Sequence, residues 1–168
     1  FMIEFHSKRF YLRELTVKDA SPLYLSWLND VHSRRFIAFR QDSIEELQQY
    51  IQSHIKEPHT LFLGIFCRNT QVHIGNVKFF FLDPNREEFS MGIMVGDKTW
   101  QGKGVAGEVL SLFSIYAKDH YGSKKMILQV ETANASAVRA YEKMGFKVTE
   151  VIVEPPAYTM VLDFSDLK

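Results

Sequence analysis

The stretch Trp100-Gln101-Gly102-Lys103-Gly104-Val105-Ala106-Gly107-Glu108-Val109-Leu110 sets three glycines at the head of an apolar run. From Val105 onward Val109, Leu112, Phe113 and Tyr116 recur at helical spacing, until Tyr121-Gly122 stops the pattern. Glycines just ahead of a helix let the backbone curl, and the first N–H groups of the helix lack partners within it. Together they read as a backbone shaped around an anion.

Gly102 to Gly107 match G-x-G-x-x-G, the dinucleotide fingerprint, but there a strand runs straight into the first glycine and a parallel sheet follows. Here Gly96-Asp97-Lys98-Thr99-Trp100 intervenes, and three strand-like runs precede it. A triphosphate loop, G-x-x-x-x-G-K-[ST], misses as well. Counting from Gly96, Gln101 stands where the second glycine belongs, and Lys103 is followed by Gly104 instead of a magnesium-binding hydroxyl. A purely structural turn opening a core helix is the remaining bland alternative.

Working outward, KRFYLREL (8–15) alternates as a strand, and DASPLYLSWLND (19–30) has Leu23, Trp27 and Leu28 at helical spacing. SIEELQQYIQSHI (43–55) aligns Ile44, Leu47, Tyr50, Ile51 and Ile55 on one face, with Ser43 and Glu46 as a capping-box pair. LFLGIFC (61–67), VHIGNVKFFFL (72–82) and FSMGIMV (89–95), separated by turn-forming residues, read as three consecutive antiparallel strands. KKMILQV (124–130) is then a buried strand and ASAVRAYEKM (135–144) a helix closed by Gly145; FKVTEVIV (146–153) and AYTMVLDF (157–164) form a final strand pair. A single α/β domain over residues 1–168 is expected, with seven strands and four helices.

Composition narrows the partners. Twenty basic residues balance twenty acidic ones, so no global field draws in nucleic acid or an anionic membrane, and any anion site is local. FMIEFHSKRF has neither the basic start nor the apolar centre of a signal peptide, and no run has the length of a membrane helix; a cytoplasmic protein is expected. The lone Cys67 sits in an apolar strand as a structural thiol. The six histidines offer no H-x-x-x-H pair, so no metal is expected. The KFFFL run serves as core or interface, and a homodimer stays open.

Read as Gln101-x-x-Gly104-x-Ala106, the loop resembles the pyrophosphate loop of the GCN5-related N-acetyltransferases (GNAT). A second segment, Asn134-Ala135-Ser136-Ala137-Val138-Arg139-Ala140-Tyr141-Glu142-Lys143-Met144-Gly145-Phe146, resembles the same family's N-x-x-A-x-x-x-Y-x-K-x-G-F region and follows a buried strand. FYLRELTVKDA and HIGNVKF further resemble the RimJ/RimL-type branch. The resemblance implies the GNAT fold, acetyl-CoA as cosubstrate, and direct attack of an amine on the thioester in a ternary complex. It places the coenzyme against Gln101, Gly102, Lys103, Gly104, Val105, Ala106 and Gly107, against the backbone of Ile93, Met94 and Val95, and against Asn134, Ser136, Arg139 and Tyr141. Asn134 is an N-cap by position.

Tyr141 is the candidate acid for the leaving thiolate, since a phenol of pKa about 10 stays protonated at neutral pH. Relatives carry an acidic residue two before the central-strand glycine, where this chain has Ser90-Met91-Gly92. Ser90 is therefore expected to hold a water, with Glu131, Glu88 or His73 as the distant proton acceptor. The acceptor pocket implied by the resemblance uses NDVHSRRFIAFRQDS (29–43), where Arg34, Arg35 and Arg40 form a cationic cluster suited to phosphates of a nucleotide-linked amino sugar, or else an ordinary solvated face. Protein N-terminal amines and polyamines are the alternative acceptors; a coenzyme-A-binding sensor without turnover is the alternative of another class.

Overall fold

The computed structural model describes residues 4–29 and 43–167. The chain divides into two compact units, Phe1–Lys78 with Ile93–Lys103, and Phe79–Gly92 with Gly104–Lys168. Among the described residues, four α-helices accompany one mixed, mostly antiparallel sheet of eight strands in the order β1-β2-β3-β4-β5-β6-β8-β7. The α/β architecture is the expected one, but the strand count is eight where seven were expected. The extra strand is β1 (Glu4–His6), which pairs Phe5 with Leu12 of β2 (Phe10–Glu14). Its hairpin is closed by Ser7, whose N–H donates to the Phe10 carbonyl at 2.8 Å and whose hydroxyl accepts the Phe10 N–H at 3.3 Å.

In the first unit β2 runs antiparallel to β3 (Thr60–Cys67), with Phe10 opposite Cys67. Six consecutive residues of β3, Phe62 to Cys67, are buried, the signature of a strand covered on both faces. The helices α1 (Pro22–Asn29) and α2 (Ile44–Ile55) supply Tyr24, Trp27, Leu28, Leu47 and Ile51 to a core shared with Leu15 and Phe62. Leu23, expected on that face, is 45% exposed; Tyr24 takes its place, completing a 24-27-28 stripe. Ser43 caps α2 by accepting the Glu46 N–H at 3.1 Å.

The FYLRELTVKDA segment acquires a physical role here. Arg13 grips Asp19 with two hydrogen bonds of 2.9 and 2.8 Å, and Asp19 also accepts the Thr16 N–H at 2.8 Å. Burial raises the Asp19 pKa, but the Arg13 fork and the Thr16 amide outweigh it and hold the carboxyl below its ordinary value.

The second unit is organised around aromatic rings. Phe79 stacks on Phe113 with centroids 3.7 Å apart, and Phe89 meets Phe113 and Phe164 at 5.3 and 5.7 Å. These rings tie β4 (His73–Phe81) and β5 (Glu88–Val95) to α3 (Val105–Tyr121). The phenylalanines of KFFFL divide between the interior, where Phe79 and Phe81 are buried, and Phe80, which is half-buried. β6 (Lys125–Glu131) pairs with β8 (Ala157–Asp163), which also pairs with β7 (Lys147–Ile152); α4 (Ala135–Met144) neighbours α3.

Candidate active site

Turn residues 101–104 lead into α3, and two of them have left-handed backbone: Gly102 at φ 71° and Gly104 at φ 80°. Only glycine adopts these angles without strain, so the G-x-G spacing is a requirement of the turn itself. Among the described residues, no atom outside the adjoining backbone lies within 4 Å of where a Cβ would stand at Gly102 or Gly107, so crowding among those residues does not explain either glycine. Gly107 lies inside α3, and glycine in a helix costs up to about 1 kcal/mol relative to alanine. The fold gives no reason for it. The open space beside it does, if something approaches that face.

Gln101 contributes its side chain to the turn, its amide donating to the Val95 carbonyl at 2.9 Å. That bond ties the loop to the last residue of β5. Lys103 is exposed.

Strand β5 pairs with β6 in parallel over three positions only, Glu88 with Lys125, Phe89 with Met126 and Ser90 with Ile127. β6 nevertheless continues, paired with β8, as far as Glu131 opposite Ala157. The two strands therefore part directly after Ser90. Gly92, just past the parting, is exposed, and among the described residues a Cβ placed on it would meet no atom within 4 Å beyond its chain neighbours. Ile93, Met94 and Val95 are half-buried at the end of β5, with Met94 against the core of the first unit.

Tyr141 lies on α4, 9% exposed, with its ring 5.6 Å from Phe146. Burial raises the phenol's pKa above its ordinary value, so it stays protonated at neutral pH. Gly145, at φ 108°, turns the chain out of α4 and its N–H closes onto the Glu142 carbonyl at 3.0 Å. Asn134 occupies the N-cap position, but its side chain makes no capping bond; its Oδ1 accepts the Ser136 hydroxyl at 3.4 Å. Its capping role is thus positional, and the α4 amides are left without that side-chain partner. Arg139 is exposed on α4.

Of the proton acceptors considered, Glu131 is exposed at the end of β6, and Glu88 starts β5 with its N–H on Asp83 at 2.9 Å. Glu87 pairs with Lys124 at 3.3 Å. His73 sits among rings of Phe66, Trp27 and Tyr24 and shares a hydrogen bond of 2.8 Å with Asn76. Burial lowers the His73 pKa, leaving a neutral imidazole. Arg34, Arg35 and Arg40 lie outside the described residues. Beside them in sequence, α1 and the start of α2 border a cavity of about 730 Å³ lined by Trp27, Asn29, Ile44, Gly96, Asp97 and Lys98 among others.

One participant has no local sequence signal. Arg9, ahead of β2, donates from its guanidinium to the Lys103 carbonyl at 3.0 Å, across 94 positions of sequence. Cys67 is a buried free thiol. Among the described residues no helix is long and apolar enough to cross a membrane.

The sequence profile of the acetyltransferase (GNAT) domain matches residues 9–147. The chain belongs to the GNAT acetyltransferases. It is an N-acetyltransferase, and its relatives carry that designation: an uncharacterized N-acetyltransferase, YoaA of Bacillus subtilis, is 28% identical over 147 residues, 86% of this chain and 82% of that protein. Among solved structures, a GNAT-family acetyltransferase from Bacillus anthracis superposes with TM-score 0.85 at 13% identity, covering 98% of this chain and 100% of that one. Spermidine N-acetyltransferase from Vibrio cholerae, in complex with CoA and spermine, gives TM-score 0.81 at 20% identity over 95% of this chain and 98% of that one. Both likenesses are of fold.

Proposed function

We propose that residues 1–168 act as one acetyltransferase domain of the RimJ/RimL-type branch, moving an acetyl group from acetyl-CoA to the primary amine of a small molecule. The observation that carries the coenzyme half is the Gln101–Gly107 turn: two left-handed glycines, a helix N-terminus directly behind them, and open space at Gly102 and Gly107. Such a turn fits a diphosphate, because successive amides and the helix dipole favour negative charge while missing side chains permit close approach. The amides of Gln101 to Gly107, with the Lys103 ammonium, would hold the diphosphate. Asn134, Ser136 and Arg139 would line the pantetheine side.

The acetyl thioester supplies the electrophile when bound; the remaining tasks fall to this chain. The parting of β5 from β6 after Ser90 frees backbone on β5, and the Ile93–Val95 amides would bind the thioester carbonyl as charge builds on it. Tyr141, kept protonated by burial, would give its proton to the leaving sulfur. Ser90, the last paired residue, would hold a water that takes the amine's proton toward Glu131. That spermine is the ligand of one structural relative supports a small amine acceptor; an amino sugar belongs to the same class, and in nucleotide-linked form it would bring phosphates for Arg34, Arg35 and Arg40 to meet. The cytoplasm is the expected compartment.

The deciding experiment incubates the protein with acetyl-CoA and a panel of polyamines, amino sugars, nucleotide-linked amino sugars and N-terminal peptides while free thiol is followed. Amine-dependent thiol release identifies the acceptor class; tight acetyl-CoA binding with no release by any amine would replace this reading with a sensor.

Gly107→Ala provides a local test. Removing a helical glycine at an open position is expected to raise stability by up to about 1 kcal/mol. The added methyl group stands where a phosphate would approach, so coenzyme A affinity is expected to fall about tenfold, or ~1.4 kcal/mol. Urea unfolding and calorimetry read the two effects separately, and stability and affinity rising together would exclude the loop as the diphosphate site.

A further inference from the structure

Arg9 is joined to the glycine turn by geometry that reaches beyond simple stitching. Its backbone is fixed first: the Arg9 carbonyl accepts the Arg68 N–H at 2.9 Å, and the Arg68 guanidinium returns to the Ser7 carbonyl at 2.7 Å. Its side chain is fixed next. The guanidinium lies 5.0 Å from the Phe10 ring centroid and 5.6 Å from that of Trp100, and those rings meet edge-on at 5.0 Å. Phe10 is fully buried, so this stack rests on core. From that position the guanidinium donates to the Lys103 carbonyl at 3.0 Å.

The Lys103–Gly104 peptide is trans, so its C=O and N–H point in opposite directions. Holding the Lys103 oxygen therefore sets the direction of the Gly104 N–H. Gly104, left-handed at φ 80°, would otherwise make rotation of this peptide cheap on its side and could bring a carbonyl to the face where an anion is to sit. We propose that Arg9 is a positioning residue of the acetyltransferase: by holding the Lys103 carbonyl it aims the Gly104 N–H at the diphosphate, and its charge behind the loop adds to the attraction. The proposal rests on the acyl-carrier reading above and adds to it a residue from the opposite end of the chain. A planar, permanently charged fork suits the task, since one face stacks on rings while an N–H engages the carbonyl; a lysine ammonium offers the charge without the stack.

The test uses coenzyme A itself, calorimetry, and the amide spectrum of ¹⁵N-labelled protein. With the unaltered chain, coenzyme A is expected to shift the Gly104 amide resonance as an anion hydrogen bond forms. Arg9→Ala is expected to weaken coenzyme A binding at least tenfold and to abolish most of that shift. Arg9→Lys, which retains charge but not the fork, is expected to recover binding to within about threefold of the parent with a reduced Gly104 shift, and serves alone should the alanine variant fail to fold. A merely structural arginine would lower the unfolding midpoint yet leave the Gly104 response intact. Arg9→Ala binding coenzyme A within twofold of the parent, or an unchanged Gly104 shift in either variant, overturns the proposal. If the unaltered protein binds no coenzyme A, the acyl-carrier reading itself has failed, and that outcome is read without any variant.

Discussion

Tyr141→Phe is expected to lower kcat for amine acetylation by about 100-fold or more, the usual worth of a positioned general acid, while leaving acetyl-CoA affinity within about threefold. The substitution is well suited to the question because it removes one oxygen from a ring that packs on Phe146 and is 9% exposed. The ring's packing survives, so stability is expected to change by no more than about 1 kcal/mol. The pH profile carries a second check. Burial raises the phenol's pKa, so its proton is retained through neutral pH and activity is not lost to its ionisation until above about pH 10. A group that must donate loses function as pH rises through its pKa, and raising that pKa moves the loss further into alkali. The measurement is steady-state kinetics with the best amine of the panel across pH 6 to about 10. A kcat within threefold of the parent at all pH values would remove Tyr141 from the chemistry and reduce it to a core aromatic.

How much of this is legible in the sequence differs by the range of the interaction. The glycine turn is legible because its determinants are local: left-handed angles at 102 and 104 need glycine at those positions, and the helix that follows announces itself by spacing. Secondary structure is legible for the same reason, with α2 at Ile44–Ile55 and the last strand pair at Lys147–Ile152 and Ala157–Asp163. β1 leaves no such signal because three residues are too few for a period to show, and its pairing depends on the Ser7 turn. Leu23 and Tyr24 are both apolar enough to satisfy a helical stripe, and only packing against Trp27 selects Tyr24. Asn134 reads as a cap from its residue type, whereas its oxygen goes to the Ser136 hydroxyl. Arg9 cannot be read at all, since a contact across 94 residues leaves no mark on neighbouring letters.

Gly75→Ala is expected to lower stability by about 3 kcal/mol or more. Gly75 lies in β4, in the HIGNVKF segment, and its backbone is outside the left-handed region, so its requirement for glycine is not conformational. A Cβ there would stand against the Met94 carbonyl oxygen, well inside van der Waals contact, and 3.1 Å from the Val95 Cα. Neither neighbour can rotate away, because both are backbone, and the adjoining strand is held by the Gly96 and Asp97 N–H groups on the Ile74 carbonyl at 2.9 and 3.1 Å. Relief requires the end of β5 to move off β4. That end carries Ile93, Met94 and Val95, whose amides are proposed to meet the thioester, so the same substitution is expected to cost activity out of proportion to the fraction unfolded. Urea unfolding measures the first effect, and the rate per folded molecule below the unfolding transition measures the second. Gly96→Ala is a second case of the same kind: its Cβ would stand within the Trp27 ring, which is buried and packed against Tyr24 and His73 and has no room to shift, so a loss of similar size is expected. A Gly75→Ala protein less than about 1 kcal/mol below the parent would mean that β4 and β5 separate easily at this point, and the rigid placement of the Met94 backbone on which the carbonyl site depends would go with it.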